Sequence, residues 1–231
     1  MKHIHLDKIK NFESPPKKVN IFSEKELKMI QELYADLPES TYNKKQNIRK
    51  KSWVQNYNKE LDKIYFNKLK DILGNFKMDN LKSELGEDYY GLFHESFSPL
   101  PIHVDSGFDE ETIIYKQVIT PLTPIGDTVF FKKRWYGRST SFTINPDDLK
   151  IKPGPGQNDR SSEHLGDKTY DKEDHQKHLT HIDINNLKGM EIEFIYKWKL
   201  GESLIVDRSH IHCSSARIHH KKLGLTTFTK K

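Results

Sequence analysis

The pattern of apolar and polar positions predicts helices in the first third of the chain and short strands after it. Two segments carry apolar residues at the three- and four-residue spacing of a single helix face. The first follows the capping-box signature of Ser23 and Glu26 and ends at Pro38. The second runs from Asn58 to Leu73 and is stopped by Gly74. Because each helix presents one apolar face, both are expected to cover the outside of a sheet.

Beyond residue 88 the apolar positions alternate with polar ones, as they do in half-buried strands. The predicted strands are 89–97, 112–122, 127–131, 139–144, 191–198, 203–207 and 222–229. Residues around Trp53 and Val54 are expected to enter the first sheet, and residues 1–20 to form an arm or a short edge strand. Helices followed by many short strands predict an α+β fold, namely a double-stranded β-helix (a cupin-like jelly roll) braced by N-terminal helices.

One long segment interrupts the strand pattern. Residues 147–180 are rich in Gly, Pro, Asp and Lys and contain few apolar side chains. Loops of this length are usually functional lids or disordered segments. Since 231 residues suit one domain, we expect a single domain over residues 1–231, with 147–180 as a long inserted loop or lid.

Composition and charge narrow the class of protein without choosing a function. Hydrophobic residues make up 34% of the chain and charged residues 31%, with enough aromatic side chains to fill a core. The net charge of +5 comes from lysines scattered beside Asp and Glu, which disfavours a nucleic-acid partner without excluding it. The single cysteine excludes an internal disulfide. No segment has the apolar run of a signal peptide or a membrane span, so a cytoplasmic location is expected.

The candidate chemistry begins at His103-Val104-Asp105. Residues i and i+2 of an extended strand share a face, so the imidazole of His103 and the carboxylate of Asp105 point the same way. Two histidines and one carboxylate on one face form the triad that binds non-haem Fe(II) and leaves coordination positions open. The His-x-Asp pair alone is a weak signal, and it needs a second histidine and a cation downstream.

Both requirements are met near the C-terminal end of the chain. His210 and His212 each qualify as the second histidine, and strand alternation does not choose between them. In the last predicted strand, Lys222 and Thr226 share one face while Leu223 and the next leucine share the other. With the leucines against the helices, Lys222 would face the interior, where a lysine without an acidic neighbour indicates a ligand anion. The alternative is one more exposed lysine in a basic tail.

This pattern resembles the Fe(II)/2-oxoglutarate-dependent oxygenase superfamily, and the helix that begins at Ser23 resembles its prolyl-hydroxylase-like branch. In that family a basic residue follows the distal histidine by about ten positions. This spacing selects His212, ten residues before Lys222, over His210. The resemblance implies that His103, Asp105 and His212 are the metal ligands at the catalytic centre, and that Lys222 binds the far carboxylate of 2-oxoglutarate.

The same resemblance supplies further expectations. Tyr115, ten residues after Asp105, and Thr226 are carried over as cosubstrate contacts. The implied cofactors are Fe(II) and 2-oxoglutarate, with O2 as cosubstrate. The implied reaction hydroxylates a small molecule or an amino-acid or prolyl substrate and releases succinate and CO2, in a monomer or homodimer.

Other interpretations stay open at this point. The chain would be a non-catalytic cupin-like binding module if its histidines were structural, or a nucleic-acid-directed oxygenase if its basic surface bound DNA or RNA. His94, on the strand leading into the site, has two interpretations: it faces the substrate, or it is a packed core histidine, and the second is the expectation. Arg208 and Arg217 flank the distal histidine, as ligands for an acidic substrate group or as solvated surface residues.

Overall fold

The computed structural model describes residues 4–38, 41–43, 47–79, 88–105, 112–136, 168–216 and 221–231. The predicted strand at 139–144 and residues 147–167 of the predicted loop lie outside the described residues, as does Arg217. In the described part of the chain, no helix has the length and apolar character that crossing a membrane requires.

The first part of the chain contributes three helices: α1 (Leu6–Asn11), α2 (Glu24–Asp36) and α3 (Lys59–Leu73). At the start of α2, Ser23 and Glu26 form the complete capping box that the sequence predicts. The side chain of Asn58 caps α3, and Gly74 ends it at a φ of 68°. The α1 helix was not predicted, since residues 1–20 were expected to form only an arm or an edge strand.

The described residues form eleven strands: β1 (Lys17–Asn20), β2 (Thr41–Asn43), β3 (Ile48–Val54), β4 (Lys77–Met78), β5 (Tyr89–Ser96), β6 (Ile114–Pro121), β7 (Asp127–Arg134), β8 (Ile192–Lys197), β9 (Glu202–Asp207), β10 (His210–Ser214) and β11 (Lys222–Lys230). Eight of them make a large sheet in the order β1-β9-β6-β11-β5-β3-β2, with β4 paired to β11. The other three make a small sheet in the order β10-β7-β8. All of these pairings are antiparallel, and consecutive strands often lie in different sheets, as in a jelly roll.

The two sheets pack face to face over a small apolar core. Ile119, Leu204 and Val206 of the large sheet meet Phe130 and Tyr196 of the small sheet there. On the opposite face of the large sheet, α2 and α3 bury a larger cluster that includes Trp53, Tyr65, Phe93, Leu223 and Leu225. The helices therefore cover the outside of the sheet, as their single apolar faces predict.

The outer face of the small sheet is covered by a segment that the sequence assigned to the long loop. Residues 168–190 contain the helix α4 (Lys172–His178) and a 3₁₀ helix (Ile184–Leu187). Tyr170, Leu179 and Leu187 pack there against Val129 and Phe131 of β7. The expectation of a loop without secondary structure through residue 180 is therefore wrong over this described part. The segment is polar because the helix α4 buries none of its own residues, and the residues that flank it, Tyr170 and Leu179, make the contacts with the core.

Candidate active site

Backbone pairing brings the two predicted histidine ligands together. His103 and His212 form an isolated antiparallel bridge in which each backbone N–H donates to the other residue's carbonyl, both at 2.9 Å. Residues that exchange both hydrogen bonds in this way lie directly opposite each other, with their side chains on one face. Two residues more than a hundred positions apart are thus placed side by side by the fold itself.

Each imidazole is then oriented by its second nitrogen. The Nδ1 of His103 lies 2.7 Å from the Pro101 carbonyl, and the Nδ1 of His212 lies 2.9 Å from the His210 carbonyl. A carbonyl only accepts, so both Nδ1 atoms carry a proton, and in the neutral form of each ring the Nε2 atom keeps a free lone pair. Phe130 stacks on the His212 ring at a centroid distance of 5.2 Å and holds it from the side. This arrangement is typical of metal-binding histidines, whose other nitrogen is usually held by a carbonyl or a carboxylate.

Asp105 completes the cluster. Its Oδ2 lies 3.4 Å from the Nε2 of His212, and one potential ligand atom from each of His103, Asp105 and His212 falls within 4.8 Å of the others. Burial by itself would raise the pKa of Asp105, but the close approach of the His212 ring and the nearby His103 outweigh it, so the pKa lies well below its usual range. Burial, with the nearby His212, lowers the pKa of His103 to about 4. An ionised carboxylate and a neutral imidazole are the protonation states that metal binding requires.

The structure brings His212, and not His210, to the pair at 103 and 105. The pairing of β10 with β7 is irregular between these two residues, since His210 lies opposite Arg134 and His212 opposite Phe130. Fully buried, His210 places its Nε2 2.9 Å from the Phe131 carbonyl and 3.0 Å from the Glu193 carboxylate. Burial lowers its pKa to about 2. His210 is therefore a neutral structural residue in the packing of the small sheet.

Lys222 lies on the large sheet and lines the same cavity as the cluster. Lys222 is 5% exposed, and among the described residues its ammonium contacts a carbonyl and a hydroxyl but makes no ion pair. The Nζ atom donates to the Asp127 carbonyl at 3.2 Å and to the Thr128 hydroxyl at 3.4 Å, and it lies 3.9 Å from the centre of the Trp198 ring. Burial lowers the pKa of Lys222 to about 7. A buried ammonium without a carboxylate partner is costly unless an anion joins it.

The alternation along β11 is as predicted. Lys222, Gly224 and Thr226 line the cavity, whereas Leu223 and Leu225 pack in the helix-side core. Gly224 leaves room for an aromatic side chain, because a Cβ atom there would lie 2.5 Å from Cη2 of Trp198. Thr226, on the same face of the strand, also lines the cavity.

Tyr115 is not brought to the cavity, and the expectation that it contacts a cosubstrate is corrected. Between β11 and β6 the register shifts, since β11 advances two residues, from 228 to 230, while β6 advances three, from 117 to 114. Such a bulge reverses which face the next side chains occupy. Tyr115 consequently packs against the helix-side core, and its hydroxyl donates to the Leu73 carbonyl at the end of α3, at 3.2 Å.

The cavity has an empty volume of about 590 Å³ when the part open to solvent is included. It lies between the sheets, with the His–Asp cluster and Lys222 among its lining residues. Thr128 and Trp198, which contact Lys222, are among the lining residues that the sequence does not single out. The only signal available for them was their position on predicted strands, and alternation does not distinguish a cavity lining from a core.

His94 also lines the cavity, which corrects the expectation of a packed core histidine. It lies opposite Gly224 on β11, and its Nε2 has no hydrogen-bond partner among the described residues. Burial, together with the charge of Lys50, lowers the pKa of His94 to about 3. A neutral imidazole with an unpaired nitrogen is therefore available to a bound molecule.

Comparison with solved structures identifies the fold. No family model and no curated protein sequence matches the chain. An oxidoreductase of the 2OG-Fe(II) oxygenase family from Burkholderia pseudomallei is 11% identical, with a TM-score of 0.51 over 97% of this chain and 89% of its own. EvdO2 from Micromonospora carbonacea var. aurantiaca is 11% identical, with a TM-score of 0.52 over 100% and 91%. HygX from Streptomyces hygroscopicus, solved with nickel and 2-oxoglutarate bound, is 7% identical, with a TM-score of 0.50 over 100% and 87%.

At such low identity the likeness is one of fold, and a fold by itself does not assign an activity. The helices on the outer face of the large sheet, the two antiparallel sheets and the cavity between them all agree with these comparisons. The chain therefore has the double-stranded β-helix fold of the 2-oxoglutarate- and Fe(II)-dependent oxygenases, as the sequence resemblance implies.

Proposed function

We propose that this chain is an Fe(II)- and 2-oxoglutarate-dependent dioxygenase that hydroxylates a small-molecule or peptidyl substrate. The observation that carries the proposal is the presence of two complementary features in one cavity. One is the cluster of two imidazoles and a carboxylate, and the other is the buried ammonium of Lys222. A non-catalytic cupin-like module with structural histidines would not require a buried ammonium in the same cavity.

The cluster fits a divalent iron ion. His103 and His212 would offer their Nε2 atoms and Asp105 a carboxylate oxygen, which is the donor set of a facial triad. Their Nδ1 atoms are already engaged by backbone carbonyls, so the rings need no reorientation to bind. The fold of HygX, which was solved with nickel and 2-oxoglutarate bound, supports a metal and a cosubstrate in the same cavity.

The opposite side of the cavity suits the cosubstrate. Lys222 would pair with a carboxylate of 2-oxoglutarate, and the Thr226 hydroxyl, on the same face of β11, would add a hydrogen bond. Trp198 covers the ammonium and limits its contact with water. Once bound, the iron and 2-oxoglutarate would supply O2 activation coupled to formation of succinate and CO2. The chain's own residues bind and orient the reactants and keep Asp105 ionised.

The test is formation of succinate from 2-oxoglutarate by the full-length chain, followed by NMR with and without Fe(II). We expect iron-dependent turnover that is lost in His103→Ala and in Lys222→Met. Lys221→Met is the matched control, because this neighbouring lysine is 48% exposed and pairs with Glu95 away from the cavity. A wild-type chain that binds neither Mn(II) nor 2-oxoglutarate by calorimetry would instead be a non-catalytic module.

A further inference from the structure

A buried arginine next to the cluster has no role in the site described so far. Arg208 lies in the turn between β9 and β10 and is 2% exposed, one of the largest fully buried side chains of the described residues. From the sequence, Arg208 is expected either to bind an acidic substrate group or to lie in solvent. Its burial excludes the solvated alternative, and its side chain is not among the residues that line the cavity.

The guanidinium of Arg208 instead binds protein groups on three sides. Its Nε donates to the backbone carbonyl of Asp105 at 2.8 Å. Its Nη1 donates to the Asp79 carboxylate at 2.5 Å and to the Thr229 carbonyl at 3.2 Å. The Asp79 carboxylate balances the buried charge, so the arginine is retained without a ligand anion.

These contacts connect segments that carry different parts of the cluster. Arg208 precedes His212 by four residues in the same β9–β10 turn and strand, and it holds the main chain of Asp105 directly. Asp79 is fixed in turn, because its backbone N–H donates to the Phe228 carbonyl of β11 at 3.0 Å. The arginine thereby ties the segment bearing the carboxylate to the strand bearing the distal histidine and to the central strand of the large sheet.

We propose that Arg208, held by Asp79, is a positioning residue that fixes the main chain of Asp105 so that its carboxylate faces His103 and His212. The inference rests on the proposed metal site. The geometry requires a guanidinium, because its Nε and Nη1 donate in fixed directions to two separate groups. A lysine offers one ammonium, which can satisfy the Asp79 carboxylate but cannot also hold the Asp105 carbonyl.

The experiment measures Mn(II) affinity of the full-length chain by EPR of the free ion, without cosubstrate or turnover. We expect Arg208→Lys to weaken Mn(II) binding by about 10- to 100-fold, the usual effect of losing a group that orients a metal ligand. Asp79→Asn, which retains the arginine but removes its counter-charge, should weaken binding in the same direction by a smaller factor. If Arg208→Lys does not fold, the Mn(II) affinity of Asp79→Asn tests the inference.

The matched control is Asp62→Asn. Asp62 is also a buried carboxylate and accepts from the Trp53 indole at 2.7 Å, but it lies in the helix layer away from the cavity. Its variant should lose stability and keep wild-type Mn(II) affinity. The inference about Arg208 would be overturned if folded Arg208→Lys and Asp79→Asn proteins bound Mn(II) with wild-type affinity. It would also be overturned if Asp62→Asn lost as much Mn(II) affinity as they do. Neither result would affect the proposed function. A wild-type chain that does not bind Mn(II) would overturn the proposed function, and this inference with it.

Discussion

Replacing Lys222 with methionine should stabilise the ligand-free protein and at the same time remove its stabilisation by 2-oxoglutarate. The opposite directions follow from one fact, the burial of an ammonium group that makes no ion pair among the described residues. Without a ligand the buried charge destabilises the folded protein, whereas a carboxylate bound beside it makes the charge stabilising. Methionine has a similar shape and carries no charge, so it removes both effects.

The size of the effect follows from the pKa of Lys222. Burial lowers this pKa from 10.5 to about 7, and the difference corresponds to about 5 kcal/mol of unfavourable free energy for the charged form. Loss of the contact with Trp198 removes about 1–2 kcal/mol of stabilisation. We therefore expect a net gain of roughly 3–4 kcal/mol below pH 7, or about 6–16 °C in Tm for a chain of this length.

The gain should shrink as the pH rises. Above about pH 7 the folded wild-type protein releases the Lys222 proton, while the unfolded chain keeps it up to its ordinary pKa of 10.5. Over this window the unfolded state binds more protons, so wild-type stability increases with pH relative to the variant. The difference between the two proteins should be fully present below pH 7 and should vanish near the upper end of the window.

The assay is urea unfolding of both proteins at pH 6.5 and pH 9, with Mn(II), and with or without 2-oxoglutarate. A ligand at a hundred times its Kd stabilises the wild type by about 2.7 kcal/mol, and we expect no such gain in the variant. Lys221→Met controls for the loss of a lysine. Since Lys221 is 48% exposed and Glu95 keeps its contacts with Tyr34 and Arg49, we expect this variant to lose only about 1 kcal/mol of stability. A Lys222→Met protein that is less stable than wild type, or that 2-oxoglutarate still stabilises, would refute the reasoning.

Three further predictions concern other parts of the molecule. His212→Ala should abolish Mn(II) binding measured by calorimetry, whereas His210→Ala should still bind Mn(II) and should be less stable. The reverse result would make His210 the metal ligand and His212 the structural residue. Gly224→Ala should force the Trp198 ring to move, because the new Cβ atom would lie too close to it. We expect a loss of about 1–3 kcal/mol in urea unfolding and weaker binding of 2-oxoglutarate. An unchanged affinity would show that the ring does not shape the site. Ser23→Ala should cost about 1 kcal/mol through loss of the capping box, and an unaltered unfolding midpoint would contradict this.

The features that could be predicted from the sequence are those that depend on neighbours in the chain. The capping box at Ser23, the glycine end of α3 at Gly74 and the face assignment along β11 each follow from local spacing. The interior position of Lys222 is a local inference of the same kind, since it needed only the two leucines on the opposite face. These signals fix the type of each element, and the order of the elements then indicates the fold.

The features that could not be predicted depend on contacts between distant residues. The bulge in β6 that turns Tyr115 away from the cavity arises from its pairing with β11, which no pattern within β6 reveals. The carboxylate that neutralises Arg208 is Asp79, 129 residues away, so the arginine looked equally suited to substrate or solvent. Alternation alone does not separate His210 from His212. The spacing to Lys222 that the family resemblance supplies selects His212, and the physical reason is the irregular pairing of β10 with β7.

The two ends of the candidate site belong to different sheets, and this explains why the core between the sheets is part of the site. His212 lies on β10 of the small sheet, whereas Lys222 lies on β11 of the large sheet. The separation between a metal at one end and an anion at the other is therefore set by the side chains packed between the sheets. Phe130 has both functions, since it belongs to that core and stacks on the His212 ring. Interiors are close-packed and transmit changes in volume, so the spacing of the site depends on this core as much as on the ligands themselves.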